Sequence, residues 1–260
     1  MSRARSAIGQ IGPRAVAIGA VLAVWLAIYA SGFFDRSIFP SPLAVGRALA
    51  DGFRDGSITE ALGKSVLRLA FGLSIAIVIG TGIGLAMAGS RLAERGAGSL
   101  LLGLLSLPAI AWLPLAILWV GFNDRAVIFV VSLGAFPAVA LGTQAAIRQV
   151  PPVLERAGRT MGARGWTLYR TVIFPAALPG YLAGLKQGWA FAWLSLIAGE
   201  LFVGGGLGLG HQLDAARARL DTPMVLAVMV VIVALGMLVD LVVFGALDWR
   251  LRARRGLTVG

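Results

Sequence analysis

A polar, arginine-rich stretch in the second half of the chain separates two long apolar stretches. It is VPPVLERAGRTMGARGW from Val150 to Trp166 and, after a short interval, VIFPAALP from Val172 to Pro179. The apolar stretch before it, Ala126–Ile147, has no charged residue, and the one after it is Tyr181–Val203. Each matches the roughly 20 residues that a helix needs to cross a bilayer. The pattern predicts a loop between two membrane-spanning helices.

The composition of the whole chain is that of a membrane protein. Of its 260 residues, 58% are hydrophobic and 13% are charged, whereas a typical soluble domain has roughly 25% charged residues. The net charge of +11 is spread over short segments between apolar stretches, which argues against a nucleic-acid-binding domain. The absence of cysteine excludes disulfides, thiolate metal sites and cysteine nucleophiles.

Six stretches have the length and composition of a membrane span. They are Ala15–Phe34, Leu69–Ser90, Gly96–Asn123, Ala126–Ile147, Tyr181–Val203 and Thr222–Leu247. The first follows three arginines, as a signal peptide would, but it is longer than a signal peptide's apolar core and no A-x-A-like site closes it. We expect a retained span, with residues 1–14 as a cytoplasmic N-terminus, 15–250 as one transmembrane domain and 251–260 as a cytoplasmic tail.

The distribution of charge predicts the orientation of these spans, because cytoplasmic loops carry an excess of Lys and Arg. With the N-terminus inside, the inner segments hold fourteen Lys and Arg and the outer segments eight. The outer segments hold seven acidic residues and the inner ones three. Both termini and the loop of residues 148–175 are therefore predicted to be cytoplasmic. In the long outer segment, Ser41 and Pro42 predict the start of a short amphipathic helix at the interface, with Leu43, Ala44, Leu49 and Phe53 on its apolar side.

Two local patterns resemble nucleotide-binding motifs only in part. Gly63-Lys64-Ser65 ends like a P-loop, but Ile58 stands where the first glycine is required, so we interpret it as a helix start at a membrane boundary. The run Gly204–Gly210 follows a predicted span instead of a strand, which excludes a dinucleotide fingerprint. It predicts a flexible helix break and turn, or alternatively a re-entrant bend that lines a pathway.

Ionisable residues inside the predicted spans and the single histidine are the remaining candidates. A charge in a span costs about 2.5–3.5 kcal/mol and usually faces the protein interior. Lys186 and Glu200 are 14 positions apart, about 21 Å along a helix, so they cannot pair with each other. Gating or contact with a partner subunit is one interpretation; a structural hydrogen bond between helices is the other, and we favour it for Lys186 and Asp240. His211 has no metal or triad partners in its surroundings, and we expect a hydrogen-bonding role in the outer loop.

The cytoplasmic loop resembles the EAA loop of ABC importer permeases, whose motif is E-A-A, three residues, G, nine residues, then I-x-L-P. Gly162 supplies the glycine, and Val172 to Pro175 supply the end of the motif at the correct spacing. The E-A-A position holds Arg156-Ala157-Gly158, so arginine replaces the glutamate, with Glu155 one place early. Gly158, Gly162 and Gly165 permit a sharp bend between two short helices. The alternative is a solvated basic loop held at anionic lipid headgroups.

The resemblance extends from about Ser65 to Arg250 and is similar to the nitrate, sulfonate and taurine branch of the family. The segments that carry it are Ser106–Phe122, Pro175–Pro179, Gly184-Leu185, Ala192-Trp193, Glu200 and Gly206–Gly210. It implies an all-α, six-span fold of the type I ABC importer permease, in the bacterial inner membrane. It also implies a site for coupling to an ATPase, formed by Glu155, Arg156, Ala157, Gly158, Arg159, Thr160, Met161, Gly162, Ala163 and Arg164, with the motif ending at Val172 and Pro175. The candidates for a pathway or gate are Glu200, Lys186 and Trp193.

The resemblance also implies partners. These are a second permease subunit, expected to be a copy of this chain, an ABC ATPase dimer that binds ATP and Mg, and a periplasmic or lipid-anchored substrate-binding protein. We expect the chain itself to be no enzyme, to have no catalytic residue, metal site or cofactor, and to bind lipid but no nucleic acid.

The predicted substrate is a small anion, with an aliphatic sulfonate or taurine favoured over nitrate, bicarbonate or a thiamine precursor. Two other classes of function are disfavoured. A secondary transporter would show paired broken helices in two repeats, and a membrane-embedded enzyme would show clustered His, Asp or Glu in its spans.

Overall fold

The computed structural model describes the backbone of residues 2–203 and 206–254, and within these residues every regular element is helical. The α-helices are α1 Ser2–Ser31, α2 Pro42–Arg54, α3 Ser57–Gly89, α4 Arg91–Ser106, α5 Leu113–Val120, α6 Asp124–Arg148, α7 Pro152–Thr160, α8 Gly165–Leu168, α9 Phe174–Phe202, α10 Leu209–Ala218, α11 Thr222–Val239 and α12 Gly245–Arg254. A 3₁₀ turn, Ala109–Trp112, precedes α5, and π-helical segments, Tyr169–Ile173 and Asp240–Phe244, lead into α9 and α12. The chain divides into two compact units, residues 1–59 with 212–231, and residues 60–211 with 232–260.

Three helical stretches in the described part of the chain are long and apolar enough to cross a membrane. They are Ser57–Gly89, Asp124–Arg148 and Thr222–Leu251, the last running from α11 into α12. The apolar part of α1, Val16–Ser31, is shorter. The all-helical fold is confirmed, and the count of six spans stays a prediction.

The predicted span Gly96–Asn123 is not one continuous helix. α4 begins earlier, at Arg91, where the Ser90 hydroxyl accepts a hydrogen bond from the Ala93 amide at 3.3 Å. The chain then bends by 96° between α4 and the helical stretch that ends with α5. Leu107 is extended, with φ −85° and ψ 122°, because the residue before a proline is driven out of the helical region. Pro108 thus breaks an apolar stretch that composition alone presents as continuous.

The larger unit is built around α6, which packs against α3 and α9 through small residues. A Cβ added at Gly72, Gly80 or Gly84 of α3 would lie 2.5–2.6 Å from an atom of α6. One added at Gly142 of α6 would lie 2.5 Å from the Cα of Gly184 in α9. Small residues at four-residue spacing allow helix backbones to approach closely where lipid offers no hydrophobic driving force. This spacing is the sequence signal for the helix packing.

In the smaller unit, the predicted outer helix is present as α2. The Ser41 hydroxyl caps it by accepting from the Ala44 amide at 3.2 Å. Its buried residues are Val45 and Gly52, whereas Leu43 is 63% exposed, so the predicted apolar side is not the buried one. Asp55 precedes α3 and accepts a hydrogen bond from the Ser57 amide at 2.9 Å, which lowers the pKa of its carboxyl group.

Candidate functional site

The predicted bend in the loop between α6 and α9 is formed by a glycine C-cap of α7. The Ala163 amide donates to the Gly158 carbonyl and the Gly162 amide to the Arg159 carbonyl, each at 3.0 Å. These two bonds form a Schellman motif, which needs a left-handed residue after the helix. Gly162 supplies it with φ +89°, and Gly165 follows with φ +52°. An added Cβ at Gly162 would have no described neighbour within 4 Å, so backbone conformation alone requires glycine here.

Gly158 has a different role from the one predicted, because it lies inside α7 and does not bend the chain. It is buried, and an added Cβ would lie 2.8 Å from a Leu168 methyl carbon and 2.9 Å from one of Val172. The glycine therefore lets α7 pack closely against α8 and the π-helical segment. Val172, at the end of the motif, is half-buried at this contact, and Pro175 lies in the first turn of α9.

The surface of the loop that faces away from the helices is exposed and carries both apolar and basic residues. The exposed fractions are 62% for Val153, 80% for Met161 and 69% for Trp166. Around them, the exposed polar side chains of the predicted coupling site are Arg156, Arg159, Thr160 and Arg164, and the small residues Ala157 and Ala163 lie between. This surface combines aromatic, methionine and arginine side chains, a composition typical of protein interfaces.

The two charged residues at the start of the motif have separate environments. Glu155 accepts from Arg159 one turn later, with a nitrogen–oxygen distance of 2.7 Å. Arg156 stands at the glutamate position, and its Nε lies 3.5 Å from the carbonyl of Pro152 in its own helix. Exposed pairs of this kind add little stability, so neither residue is needed to fold α7. Their charges remain available to a partner.

Glu200 lies in a buried hydrogen-bond network near the end of α9. Its side chain is 0% exposed and accepts from Arg68 Nη1 of α3 at 2.7 Å. The Ser65 hydroxyl, also on α3, lies 2.7 Å from Glu200 Oε2. Arg68 Nη2 reaches Asp124 at the start of α6, again at 2.7 Å. Glu200 thus connects α9 to α3 and, through Arg68, to α6, which supports its structural interpretation.

The same carboxylate also caps the start of α10. The Gly210 amide donates to Glu200 Oε2 at 3.0 Å, and the Leu209 amide donates to the Ser65 hydroxyl at 2.8 Å. An added Cβ at Gly208 or Gly210 would lie 2.7 Å from Glu200 atoms. These two glycines are therefore required by close packing on a capping carboxylate. The remaining part of the predicted break, residues 204 and 205, lies outside the described residues.

Sequence reasoning missed Ser65 and Arg68 because it ended the outer segment at Arg68. α3 instead begins at Ser57, so the Gly63-Lys64-Ser65 pattern lies within a helix and not at its start. Arg68 is buried although it was counted among the outer charges. Their spacing of three residues, on one face of a helix, is the signal that could have paired them with a buried carboxylate.

Lys186, the second charge of α9, pairs with Asp240. The Lys186 Nζ lies 2.7 Å from Asp240 Oδ1, and their side chains are 49% and 40% exposed. Trp193, the third pathway candidate, is buried and stacks on Trp189 with ring centroids 5.9 Å apart. Trp189 also meets Phe244 at 6.5 Å. The three candidates therefore lie on one helix but in two separate environments.

The predicted role of His211 is wrong. His211 lies inside α10 instead of in a loop, because the helix begins where Glu200 and Ser65 cap it. Its Nδ1 is buried without a hydrogen-bond partner among the described residues. The start of α10 packs closely against Glu200, and this places the His211 ring in a helix. The glycine-rich sequence before it predicted a loop instead.

Comparison with known proteins identifies relatives over most of the chain. Residues 64–254 match the family described as binding-protein-dependent transport system inner membrane component. The chain is 31% identical to the putative aliphatic sulfonates transport permease protein SsuC of Escherichia coli, over 89% of this chain and 87% of that protein. It is 30% identical to the taurine transport system permease protein TauC of Escherichia coli (86% and 83% covered) and to the nitrate import permease protein NrtB of Synechocystis (87% and 84%).

Solved structures share the fold. A chain of the inward-facing MetNI methionine ABC transporter superposes with a TM-score of 0.62 at 24% identity, covering 77% of this chain and 96% of that one. A chain of an amino acid ABC transporter gives 0.60 at 21% identity, covering 79% and 97%. At these identities the likeness concerns the fold alone.

Proposed function

Because the chain belongs to the family of binding-protein-dependent transport system inner membrane components, we propose that it imports a small anionic solute, with an aliphatic sulfonate or taurine as the favoured one. The chain is a permease subunit of an ABC importer and a multi-pass inner membrane protein. Curated relatives at 30–31% identity are named for aliphatic sulfonates, taurine and nitrate. All three are small anions or carry an anionic group, and this shared chemistry supports the proposed class.

In this proposal the loop between α6 and α9 docks on a separate ATPase. The observation that carries it is the exposed surface of α7 and its C-cap, where Met161 and Trp166 stand out beside arginines. Large apolar side chains that are 80% and 69% exposed are typical of a surface that a partner covers. ATP and Mg would bind to that partner, and this chain would supply no catalytic group. Two copies of the chain would form the pore, with both termini and the loop in the cytoplasm and the binding protein outside.

The docking role can be tested at Gly162, because glycine is required there by the backbone conformation and not by a lack of space for a side chain. Gly162→Val strains a left-handed position in an exposed turn, so the α7 cap should change shape while the protein still inserts and binds the membrane. We expect the complete importer to hydrolyse ATP with solute uptake reduced at least tenfold. Gly96→Val is the matched control, since Gly96 in α4 also has open space around it but an ordinary φ. Wild-type uptake by Gly162→Val would contradict the coupling role of the loop.

The substrate is tested separately, with the importer reconstituted together with its ATPase and binding protein. Uptake of taurine, ethanesulfonate and nitrate should be measured side by side, each against the same importer without ATP. We expect the sulfonates to be carried and nitrate to be carried poorly. Preferred uptake of nitrate would replace the favoured substrate by the alternative that the relative NrtB supports, and uptake of a neutral solute alone would overturn the anionic class.

A further inference from the structure

The Lys186–Asp240 pair lies deep within its helices. Lys186 stands 12 residues after Phe174 and 16 before Phe202, the ends of α9, which places it about 18 Å and 24 Å from them. Asp240 stands 18 residues after Thr222 and 11 before Leu251, the ends of the continuous stretch that includes α11, or about 27 Å and 17 Å. In the predicted spans Tyr181–Val203 and Thr222–Leu247, the two residues lie 5 and 7 positions, about 8 Å and 10 Å, from the nearer end. This places both side chains inside a hydrocarbon core of roughly 30 Å.

Because the pair is partly exposed at this depth, its surroundings must be polar and not lipid. The two side chains are 49% and 40% exposed on the surface of the chain, and charged groups facing lipid are costly. The Lys186 ammonium is also held at 2.7 Å from Asp240, so it does not extend towards the headgroups. The surface around the pair therefore faces a water-filled path or is covered by another subunit.

An apolar pocket is lined by Leu185 and Val239, the chain neighbours of Lys186 and Asp240, together with Trp189 and Phe244. Trp189, one helical turn after Lys186, stacks on Trp193 with an interplanar angle of 12° and meets Phe244 of the neighbouring π-helical segment. That segment begins at Asp240 itself, and such π-bulges in helices are frequent at functional sites. An ion pair whose chain neighbours line an apolar, aromatic pocket suits a molecule that has an anionic head and a short apolar tail.

We propose that Lys186 receives the anionic group of the translocated solute inside the membrane, and that Asp240 neutralises Lys186 when no solute is bound. The alkyl part of the solute contacts Trp189. This inference rests on the proposed function and narrows it to organic anions such as alkanesulfonates, since nitrate has no apolar tail. An incoming sulfonate competes with the Asp240 carboxylate for the ammonium, and the displaced carboxylate, which is 40% exposed, turns to the water of the path. This competition keeps the binding weak enough for the solute to be released.

The proposal and a purely structural ion pair predict opposite effects for two variants. If the pair is only structural, Asp240→Asn leaves a lysine unpaired and harms the protein, and the double variant Lys186→Met with Asp240→Met repairs it. If Lys186 binds the solute, Asp240→Asn removes the competing carboxylate and strengthens anion binding. The double variant then abolishes binding while the protein stays folded.

The measurement is the apparent Kd of ethanesulfonate for the purified permease–ATPase complex without binding protein, read from tryptophan fluorescence. We expect Asp240→Asn to lower this Kd about tenfold and the double variant to raise it at least tenfold, since a charge-assisted hydrogen bond is gained or lost. Trp189→Phe should reduce the fluorescence change and keep the binding. A wild-type Kd in the double variant, or no binding by the wild-type complex, would overturn the proposal.

Water access to the pair gives an independent measurement, because the chain contains no cysteine of its own. Lys186→Cys should react with a membrane-impermeant, sulfonate-bearing methanethiosulfonate reagent in the assembled importer. Leu238→Cys is the control, since Leu238 is 55% exposed and only two positions from Asp240. Equal reaction at both positions, or none at Cys in place of Lys186, would place the pair away from the pathway and refute the inference.

Uptake separates this inference from the proposed function. If the wild-type importer carries no sulfonate or taurine, the proposed substrate is wrong and the inference falls with it. If it carries them and the double variant carries them at the same rate and with the same Kd, the importer assignment stands and the inference alone is wrong.

Discussion

Helix α9 carries two ion pairs of the same length, 2.7 Å, that differ in burial and in the number of their partners. Glu200 is fully buried and bonded to Ser65, Arg68 and the start of α10. Lys186 has one ion pair, with Asp240, and both side chains remain about half exposed. A buried carboxylate with several partners is part of the architecture, because removing any partner leaves an uncompensated group. A half-exposed pair with a single bond can exchange its partner, and that difference separates structure from transport along one helix.

The largest expected effect is at Glu200. Glu200→Ala leaves Arg68 buried with only Asp124 and removes the cap of α10, so we expect a loss of about 3–5 kcal/mol in the free energy of unfolding. Detergent-solubilised protein should show this as a large drop in its thermal unfolding midpoint. The double variant with Arg68→Met should recover a substantial part of the loss. An unchanged midpoint for Glu200→Ala would mean that the network is not structural.

A smaller effect is expected at Ser65, which is buried between Glu200 and the Leu209 amide. Ser65→Ala leaves that amide and one carboxylate oxygen short of a partner, at a cost of about 1–3 kcal/mol. Ser99→Ala, at an exposed position in α4, is the control and should leave the unfolding midpoint unchanged. Equal midpoints for the two variants would show that the hydroxyl adds nothing.

Asp124 should matter less than either, because its side chain is 54% exposed and water can replace it. Asp124→Asn should lower the free energy of unfolding by about 1 kcal/mol or less. The same measurement in high salt should bring wild type and variant together, since screening weakens exposed pairs. A loss as large as that of Glu200→Ala would show that Arg68 depends on both carboxylates equally.

The smallest effect on stability is expected for the pair Lys186→Met with Asp240→Met. Replacing both members of an ion pair by apolar residues of similar size is often neutral, so we expect a change within about 1 kcal/mol. This is the variant in which anion binding should disappear. Loss of stability together with binding would make the pair structural and remove the contrast with Glu200.

Features formed by residues close together in the sequence could be predicted, and features formed by distant residues were harder to predict. The bend of the loop between α6 and α9 was predictable because Gly162 and its motif lie within one short segment. The network of Glu200 was only partly so: the spacing of Ser65 and Arg68 indicates a polar face on α3, but Glu200 lies 132 positions from Arg68 and no local pattern identifies it as the partner. The predicted start of the span, Leu69, was also too late, because Lys64 and Arg68 interrupt the apolar residues although both lie within α3.

The pairing of Lys186 and the helix break at Pro108 show the same limit of sequence-based prediction. The sequence marked Lys186 as costly inside a span but could not say which of several carboxylates meets it, because that depends on helix packing. Leu107 and Pro108 lie in an apolar stretch whose average hydropathy conceals a break in the backbone. The length of an apolar stretch indicates whether it can cross a bilayer, but it carries no information about the path of the backbone within that stretch.

The close approach of α6 and α9 has a mechanical consequence. Gly180 meets Ala146, Gly184 meets Gly142, and Gly188 meets Val139, so contacts recur about every 6 Å along α9. Sliding one helix along the other by part of that interval would force a side chain against backbone, which a close-packed interior resists. The α6–α9 hairpin, which carries the loop at its tip, therefore resists sliding of one helix along the other. We expect an axial displacement of the loop to move α6 and α9 together, and with them the end of α9 where Glu200 lies.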